Sequence, residues 1–248
     1  MGIQMTTQEV LREIKTAPRA EDLSAVLSNI CKRMGFDYFA LTHHADMTQA
    51  PGRIVRLHNY PSRWVAHYDG NAFGIADPVH RASQASCVGF LWSDMRTMIP
   101  LTASDRRILA LGREYGIGNG FTVPVHVPGE LPGSCTFANN SGEPIDQAAL
   151  PLAQLVGIFA FESARRCWGI RSFEQNPPRL TNRQRDCLLW AGRGKSDWEI
   201  CRILGISEDT VDRHLTNARE RYGVPKRTMM LVRALFDGTL SFSDVLPW

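Results

Sequence analysis

Two groups of side chains have the types and spacing to do chemistry. In the first, Tyr60, Trp64, Tyr68 and Asp77 fall in one short stretch, with Trp92 beyond it. Trp64 and Tyr68 are four residues apart and share a face if the stretch is helical. Each pairs an apolar ring with one polar group, so together they could wall a cavity and place an N–H and an O–H inside it. Asp77 adds a carboxylate able to accept from an amide N–H. Apolar walls with a few convergent polar groups describe a small-molecule pocket. The same aromatics also describe a packed core, and Asp77-Pro78 also describes a helix start. In the second group, residues 207–222 read as a helix. Val211, Leu215, Ala218 and Tyr222 make one apolar stripe, leaving Thr210, Arg213, His214, Asn217 and Arg221 on other faces. In a major groove, Arg reads guanine, Asn reads adenine, and hydroxyl or basic groups hold phosphates. The bland reading of the same residues is a solvated charged face.

Enzymatic motifs are missing. His43-His44 and His80 could suggest metal or acid–base work, but no H-E-x-x-H, G-x-S-x-G or phosphate-binding G-x-x-x-x-G-K-[ST] run is present. No acidic set of a phosphorylated receiver is found either. The six cysteines are scattered, none in a C-x-x-C pair, so they read as small hydrophobes rather than bridges or metal ligands. No metal and no cofactor is expected.

The elements that must position both groups follow from periodicity. Residues 7–16 and 20–34 carry apolar residues at helical spacing, and 37–44 and 52–59 read as strands. Residues 101–115 return to helix, with Thr102 as cap and Gly116 as stop. Two strands over 120–127 and 133–139 flank a Pro/Gly turn at 128–132, and 145–168 is a long helix. After it, 169–179 reads as a linker, because Pro177 and Pro178 lack backbone N–H groups and force extension. Four short helices follow, over 181–191, 196–204, 207–222 and 226–236, with a turn at Gly205 that makes a helix-turn-helix. The fold class is therefore α+β in residues 1–168, then a linker at 169–179, then a small all-α domain over 180–248.

Charge separates the same two parts. The whole chain carries +3, yet residues 180–235 hold 11 basic against 7 acidic side chains. A basic module behind a neutral one suggests that the former touches a polyanion. At 44% hydrophobic, the 248-residue chain is too apolar to be disordered, and no run nears the ~18 apolar residues of a membrane span. The polar N-terminus has no signal-peptide core, so a cytoplasmic protein without membrane association is expected.

The order of residues adds a resemblance. Leu180-Thr181, Arg183, Arg185, Leu188, Gly194-Lys195, Glu199-Ile200, Leu204, Ile206-Ser207, Thr210-Val211, His214 and Arg227 resemble the LuxR-type helix-turn-helix domain. Gln184 and Asp186 depart from it, as does Arg221-Tyr222. The pattern W-x3-Y-x8-D-P from Trp64, then Trp92 and Gly120, resembles the autoinducer-binding domain of LuxR-type quorum-sensing receptors. The resemblance implies an α-β-α sandwich with an antiparallel sheet holding an N-acyl-homoserine lactone, joined to a four-helix DNA-binding domain. Trp64 would then donate to the lactone carbonyl and Tyr60 to the acyl carbonyl, while Asp77 accepts from the ligand amide. Trp92 and Tyr68 would pack on the lactone and the start of the acyl chain, with Ser134 or Thr136 as a further polar contact. Lys195 would join Thr210, Arg213, His214, Asn217 and Arg221 at double-stranded DNA. A homodimer on a palindromic site is implied, with RNA polymerase as a further partner; on the long helix Leu152, Leu155, Val156, Phe159 and Phe161 are dimer-face candidates, about half of which must instead be core. Without its ligand, a buried Asp77 is expected to be poorly satisfied. The alternative is a regulator with the same DNA domain that answers to another small molecule, or to none.

Overall fold

Strands whose two faces differ in polarity set the architecture. The computed structural model describes residues 6–45, 54–127, 130–140, 142, 144–170 and 178–246. These fall into two compact units, one ending at 170 and one beginning at 178. In chain order the first unit holds α1 (Thr7–Thr16), α2 (Ala20–Arg33), β1 (Tyr38–His43) and β2 (Arg56–His58). Next come α3 (Ser62–Gly70), α4 (Phe73–Ala76), α5 (Pro78–Ser83), β3 (Phe90–Leu91), a 3₁₀ turn (Trp92–Asp94), α6 (Met95–Met98) and α7 (Ala103–Glu114). It ends with β4 (Gly120–Val125), β5 (Gly133–Ala138), a 3₁₀ turn (Gln147–Ala149) and α8 (Leu150–Cys167). The five strands form one antiparallel sheet in the order β2-β1-β5-β4-β3.

Successive strand side chains point to opposite faces. Phe39, Leu41, Phe121, Val123, Cys135 and Phe137 take one face and pack in a single core with α1, α2 and α8. Ala40, Thr42, Arg56, His58, Thr122, Ser134 and Thr136 share the other parity, and the register aligns His58, Ala40, Thr136 and Thr122 across the sheet. Helices α3 to α7 lie on that side, giving the α-β-α layering.

The long helix starts later than periodicity suggests. Asp146 caps the 3₁₀ turn by accepting from the Ala148 N–H, and Pro151, which cannot donate inside a helix, sits in the first turn of α8. The dimer-face candidates divide. Val156 and Phe161 belong to the core, because α8 rests on the sheet through that stripe, and Leu152 and Phe159 are half-buried. Leu155 is exposed, as is Ile158, which the pattern had not singled out.

In the second unit α9 (Asn182–Gly192), α10 (Asp197–Leu204), α11 (Glu208–Arg221) and α12 (Arg227–Phe236) are the four expected helices. A fifth, α13 (Phe242–Val245), was not anticipated. It is one turn closed by a Ser241–Asp244 capping box, and its Val245 joins the same core. Ser196 and Thr181 cap their helices in the same way, with Glu199 and Gln184 as their respective partners. Gly205 ends α10 at φ +65°, a conformation open to glycine at little cost. The stripe Val211, Leu215, Ala218 and Tyr222 is buried as expected.

The linker expected over 169–179 lies mostly outside the described residues, as do Pro128 and Gly129 of the turn expected over 128–132, where the Glu130 N–H donates to the Val127 carbonyl at 3.0 Å. All six cysteines are free. Cys31, Cys135 and Cys187 are buried, whereas Cys87 is exposed. Among the described residues no helix is long and apolar enough to cross a membrane, and no cluster of His, Cys, Asp or Glu could hold a metal.

Candidate ligand site and nucleic-acid interface

Between the polar sheet face and α3, α5 and α7 lies a cavity of about 110 Å³. Tyr60, Trp64, Tyr68, Asp77, Trp92 and Thr136 all line it, so the structure brings together six of the seven residues read from the sequence. Ser134 is the exception. It sits one row further along the same face of β5, opposite Thr42, and holds the His44 Nε2 at 2.9 Å. Of the two hydroxyls left open by the sequence, Thr136 is the one in the wall.

Each position has a local cause. Trp64 and Tyr68 are one turn apart on α3, and their rings meet edge to face at 5.5 Å. Asp77 is the N-cap of α5, with Pro78 in the first turn, so the helix-start reading and the site reading are both realised. Its carboxylate accepts from the Val79 N–H at 2.8 Å and from the Tyr68 hydroxyl at 2.7 Å. The expectation of a poorly satisfied Asp77 is thereby corrected: each oxygen already has one donor, though a carboxylate can accept more. Burial, with Asp77 beside it, pushes the Tyr68 phenol well above its usual pKa, so it remains a donor. Burial likewise keeps Tyr60 protonated. Among the described residues neither the Tyr60 hydroxyl nor Trp64 Nε1 has a hydrogen-bond partner. The cavity thus presents two uncommitted donors beside one carboxylate acceptor.

Trp92 is fixed from two sides. Its Nε1 donates to Thr122 Oγ1 at 3.0 Å, and Thr122 in turn shares a 2.9 Å bond with Thr136 Oγ1. Its ring lies directly on Gly120, where an added Cβ would come within 2.4 Å of the indole. Gly120 is required by this close approach. Gly120→Ala is expected to displace Trp92 and destabilise the N-terminal unit by about 1–3 kcal/mol. A urea midpoint unchanged from the parent's would contradict that contact.

One end of the polar face is closed by imidazoles. His44 stacks on His80 at 3.9 Å and 13°, and burial, with His80 and His126 adding, lowers its pKa to about 2. The folded chain therefore keeps His44 neutral while the unfolded chain protonates it near the ordinary histidine value of 6.5. Stability is complete above that value and is lost as pH falls, by about 2 kcal/mol between about pH 7 and about pH 5 from this group alone. His44→Phe, which keeps a stacked ring and removes the titration, should flatten the pH dependence of the melting midpoint. An unaltered slope would contradict the assignment.

The sequence reading missed His58, Arg56, His80 and Thr42 as lining residues. The two-residue spacing of Arg56, His58 and Tyr60 was the available signal for the first two.

On α11, Arg213 and Asn217 are exposed one turn apart, and His214 is half-buried beside them. The Thr210 hydroxyl is engaged with the Ser207 cap at 2.7 Å. Arg221 lies at the far end of the helix, where its guanidinium donates to the Arg179 carbonyl, so it is not grouped with the others. Lys195 pairs with Glu199 at 2.9 Å, and this contact, with the Ser196 backbone and hydroxyl, lowers the Glu199 carboxyl to about 2. Arg227 donates to Asp197 at 2.5 Å, tying α12 to the start of α10.

Comparison with known proteins places both parts of the chain in one family. The autoinducer binding domain matches residues 19–164, and the luxR family of bacterial regulatory proteins matches residues 178–234. The transcriptional activator protein LuxR of Aliivibrio fischeri is 26% identical over 237 residues, covering 94% of each chain. The quorum sensing-dependent transcriptional regulator RpaR of Rhodopseudomonas palustris is 30% identical over 188 residues, 75% of each chain. The structure of Escherichia coli SdiA covers 94% of this chain and 96% of its own, with TM-score 0.61 at 24% identity, a likeness of fold. Its relatives are transcriptional regulators, not enzymes. With an autoinducer-binding domain over more than half its length and a helix-turn-helix behind it, the chain belongs to the LuxR-type family of autoinducer-binding transcriptional regulators.

Proposed function

We propose that this chain is a quorum-sensing transcription factor whose N-terminal domain, residues 1–168, binds an N-acyl-homoserine lactone. Joined through residues 169–179, its domain over 180–248 binds a palindromic promoter site as a homodimer. The observation that carries this reading is the donor–acceptor set of the cavity. An acylated lactone offers one amide N–H and two kinds of carbonyl oxygen. Asp77 matches the first, and the uncommitted Tyr60 hydroxyl and Trp64 N–H match the others. Leaving such groups unpaired on burial costs about 1–3 kcal/mol each, so the match favours this head group over a plain hydrocarbon. Tyr68 acts chiefly by positioning the Asp77 carboxylate, while Trp92 and Thr136 wall the lactone. Binding ties α3, the cap of α5 and the Trp92 turn to the sheet.

The dimer contact uses the exposed Leu155 of α8, and two-fold symmetry presents two α11 helices to a two-fold site. Arg213 and Asn217 read bases, Thr210, His214 and Lys195 sit near phosphates, and the complex recruits RNA polymerase in the cytoplasm. Arg213→Ala tests this arrangement. It should weaken binding to a site selected from random duplexes by about 1–3 kcal/mol, roughly tenfold or more, measured by fluorescence anisotropy at fixed salt. The lactone-induced thermal shift should stay at the parent value. Unchanged DNA affinity would remove Arg213 from the interface.

A further inference from the structure

The head group accounts for one end of the cavity; beyond it the helices contribute Val65, Val79, Ile108 and Leu109, while the sheet side of the wall is polar. Strand parity puts Thr42, Arg56, His58, Ser134 and Thr136 on the face toward the ligand site with Ala40, while the large apolar residues of the same strands pack on the other side. An alkyl chain laid on that face would take its polar groups out of water and offer nothing in return.

Most of these groups are already committed within the protein. Arg56 donates to both oxygens of Asp69, at 2.7 and 2.9 Å. Thr136 pairs with Thr122, Ser134 with His44, and the Thr42 hydroxyl with the His43 carbonyl. His58 is the exception. It lines the cavity, and its Nδ1 is buried without a hydrogen-bond partner among the described residues. Burial, with Arg56 nearby, lowers its pKa, so the ring is a neutral imidazole offering one donor and one acceptor. It stands two residues before Tyr60, which lies just past the end of β2, and the two rings stack with centroids 6.0 Å apart. An acyl carbonyl held by Tyr60 would bring the next few carbons of the chain past His58.

Length is constrained as well. Beyond Thr42 the face is closed by the stacked His44 and His80, the first held by Ser134 and the second by the Gly74 carbonyl at 2.9 Å. A long tail would have to break that stack.

We propose that the acyl group recognised here is short and carries a hydroxyl or oxo oxygen a few carbons from its carbonyl, hydrogen-bonded by His58, and that long saturated chains are disfavoured. The inference rests on the lactone reading above, and the experiment separates the two. The full-length protein is titrated by calorimetry with N-hexanoyl-, N-(3-hydroxyhexanoyl)-, N-(3-oxohexanoyl)- and N-dodecanoyl-homoserine lactone. The expected result is that one of the two oxygenated probes binds about tenfold or more tighter than N-hexanoyl, and N-dodecanoyl weaker than N-hexanoyl. In His58→Leu the oxygenated and plain six-carbon probes should converge to within about twofold, with N-hexanoyl still bound, and His58→Gln should restore part of the difference. Equal binding of the six-carbon probes to the parent, tightest binding of N-dodecanoyl, or a preference that survives in His58→Leu overturns the inference and leaves the lactone reading standing. If none of the four binds, the lactone reading fails and this inference with it. The parent titrations decide even if the variants do not fold.

Discussion

Arg165→Ala is expected to destabilise the N-terminal unit by about 3–5 kcal/mol, the usual cost of removing one partner from a buried ion pair. Arg165 projects from α8 and is buried, and its Nε donates to Glu130 Oε2 at 2.7 Å. A second nitrogen of the same guanidinium reaches the other oxygen of Glu130, and a third reaches the exposed Glu162. The Glu130 side chain is only 7% exposed, with His43 Nε2 at 3.8 Å. His43 does not replace the arginine, because burial lowers its pKa more than Glu130 raises it. The alanine variant therefore leaves a carboxylate in the interior beside a neutral ring. Denaturant unfolding of parent and variant measures the effect. The double variant Arg165→Ala, Glu130→Gln should recover a large part of the loss, since the stranded charge is gone. A single-variant loss below about 1 kcal/mol would mean the pair is served by solvent, as surface pairs are.

Asp77→Asn is expected to leave the fold nearly intact and to cut lactone affinity by about 1.5–3 kcal/mol, roughly tenfold to more than a hundredfold. The asymmetry follows from the two oxygens. The amide oxygen of asparagine can still accept from the Val79 N–H, so the cap of α5 persists, whereas alanine would lose it for about a further 1 kcal/mol. On the other side the carboxylate oxygen that accepts from Tyr68 becomes an NH₂. That group cannot accept from the ligand amide, and the charge that strengthened the bond is removed. Melting of the free variant and calorimetric titration with the lactone measure the two effects separately. Affinity within about twofold of the parent would take Asp77 out of the ligand's contacts.

The sequence was most informative where local periodicity decides structure. Helices α1, α2, α7 and α9 to α12 follow from apolar spacing and capping residues, and the buried face of α11 is the stripe read directly from Val211 to Tyr222. The strands β1, β4 and β5 follow from alternation. Residues 62–98 were opaque as structure, because α4, α5, β3 and α6 are each six residues or shorter and take their form from packing on the sheet rather than from propensity. The aromatic and acidic members of the site in that stretch were still legible, since Trp64, Tyr68 and Asp77 keep a recognisable spacing. His58 and Thr42 were not. Their place in the wall depends on which strand lies beside which, and the register that sets His58 opposite Ala40 and Thr42 opposite Ser134 is a tertiary fact. Which of the five apolar residues on α8 are core could not be told for the same reason: periodicity gives an apolar helix face but not what covers it, and the sheet covers Val156 and Phe161. The Ser241–Asp244 capping box of α13 could have been found, and was passed over because the turn it closes is so short.

The most direct test of the central claim is thermal unfolding of the purified chain across a series of N-acyl-homoserine lactones. A ligand at about a hundred times its dissociation constant adds about 2.7 kcal/mol to the stability of what it binds, a readily measured shift of the midpoint. The expected result is a saturable rise of the N-terminal transition with one class of lactone, cut to about half or less at the same concentrations in Asp77→Asn. A midpoint that no lactone moves would contradict the account. The LuxR-type helix-turn-helix would then stand behind a cavity that serves a different molecule or none.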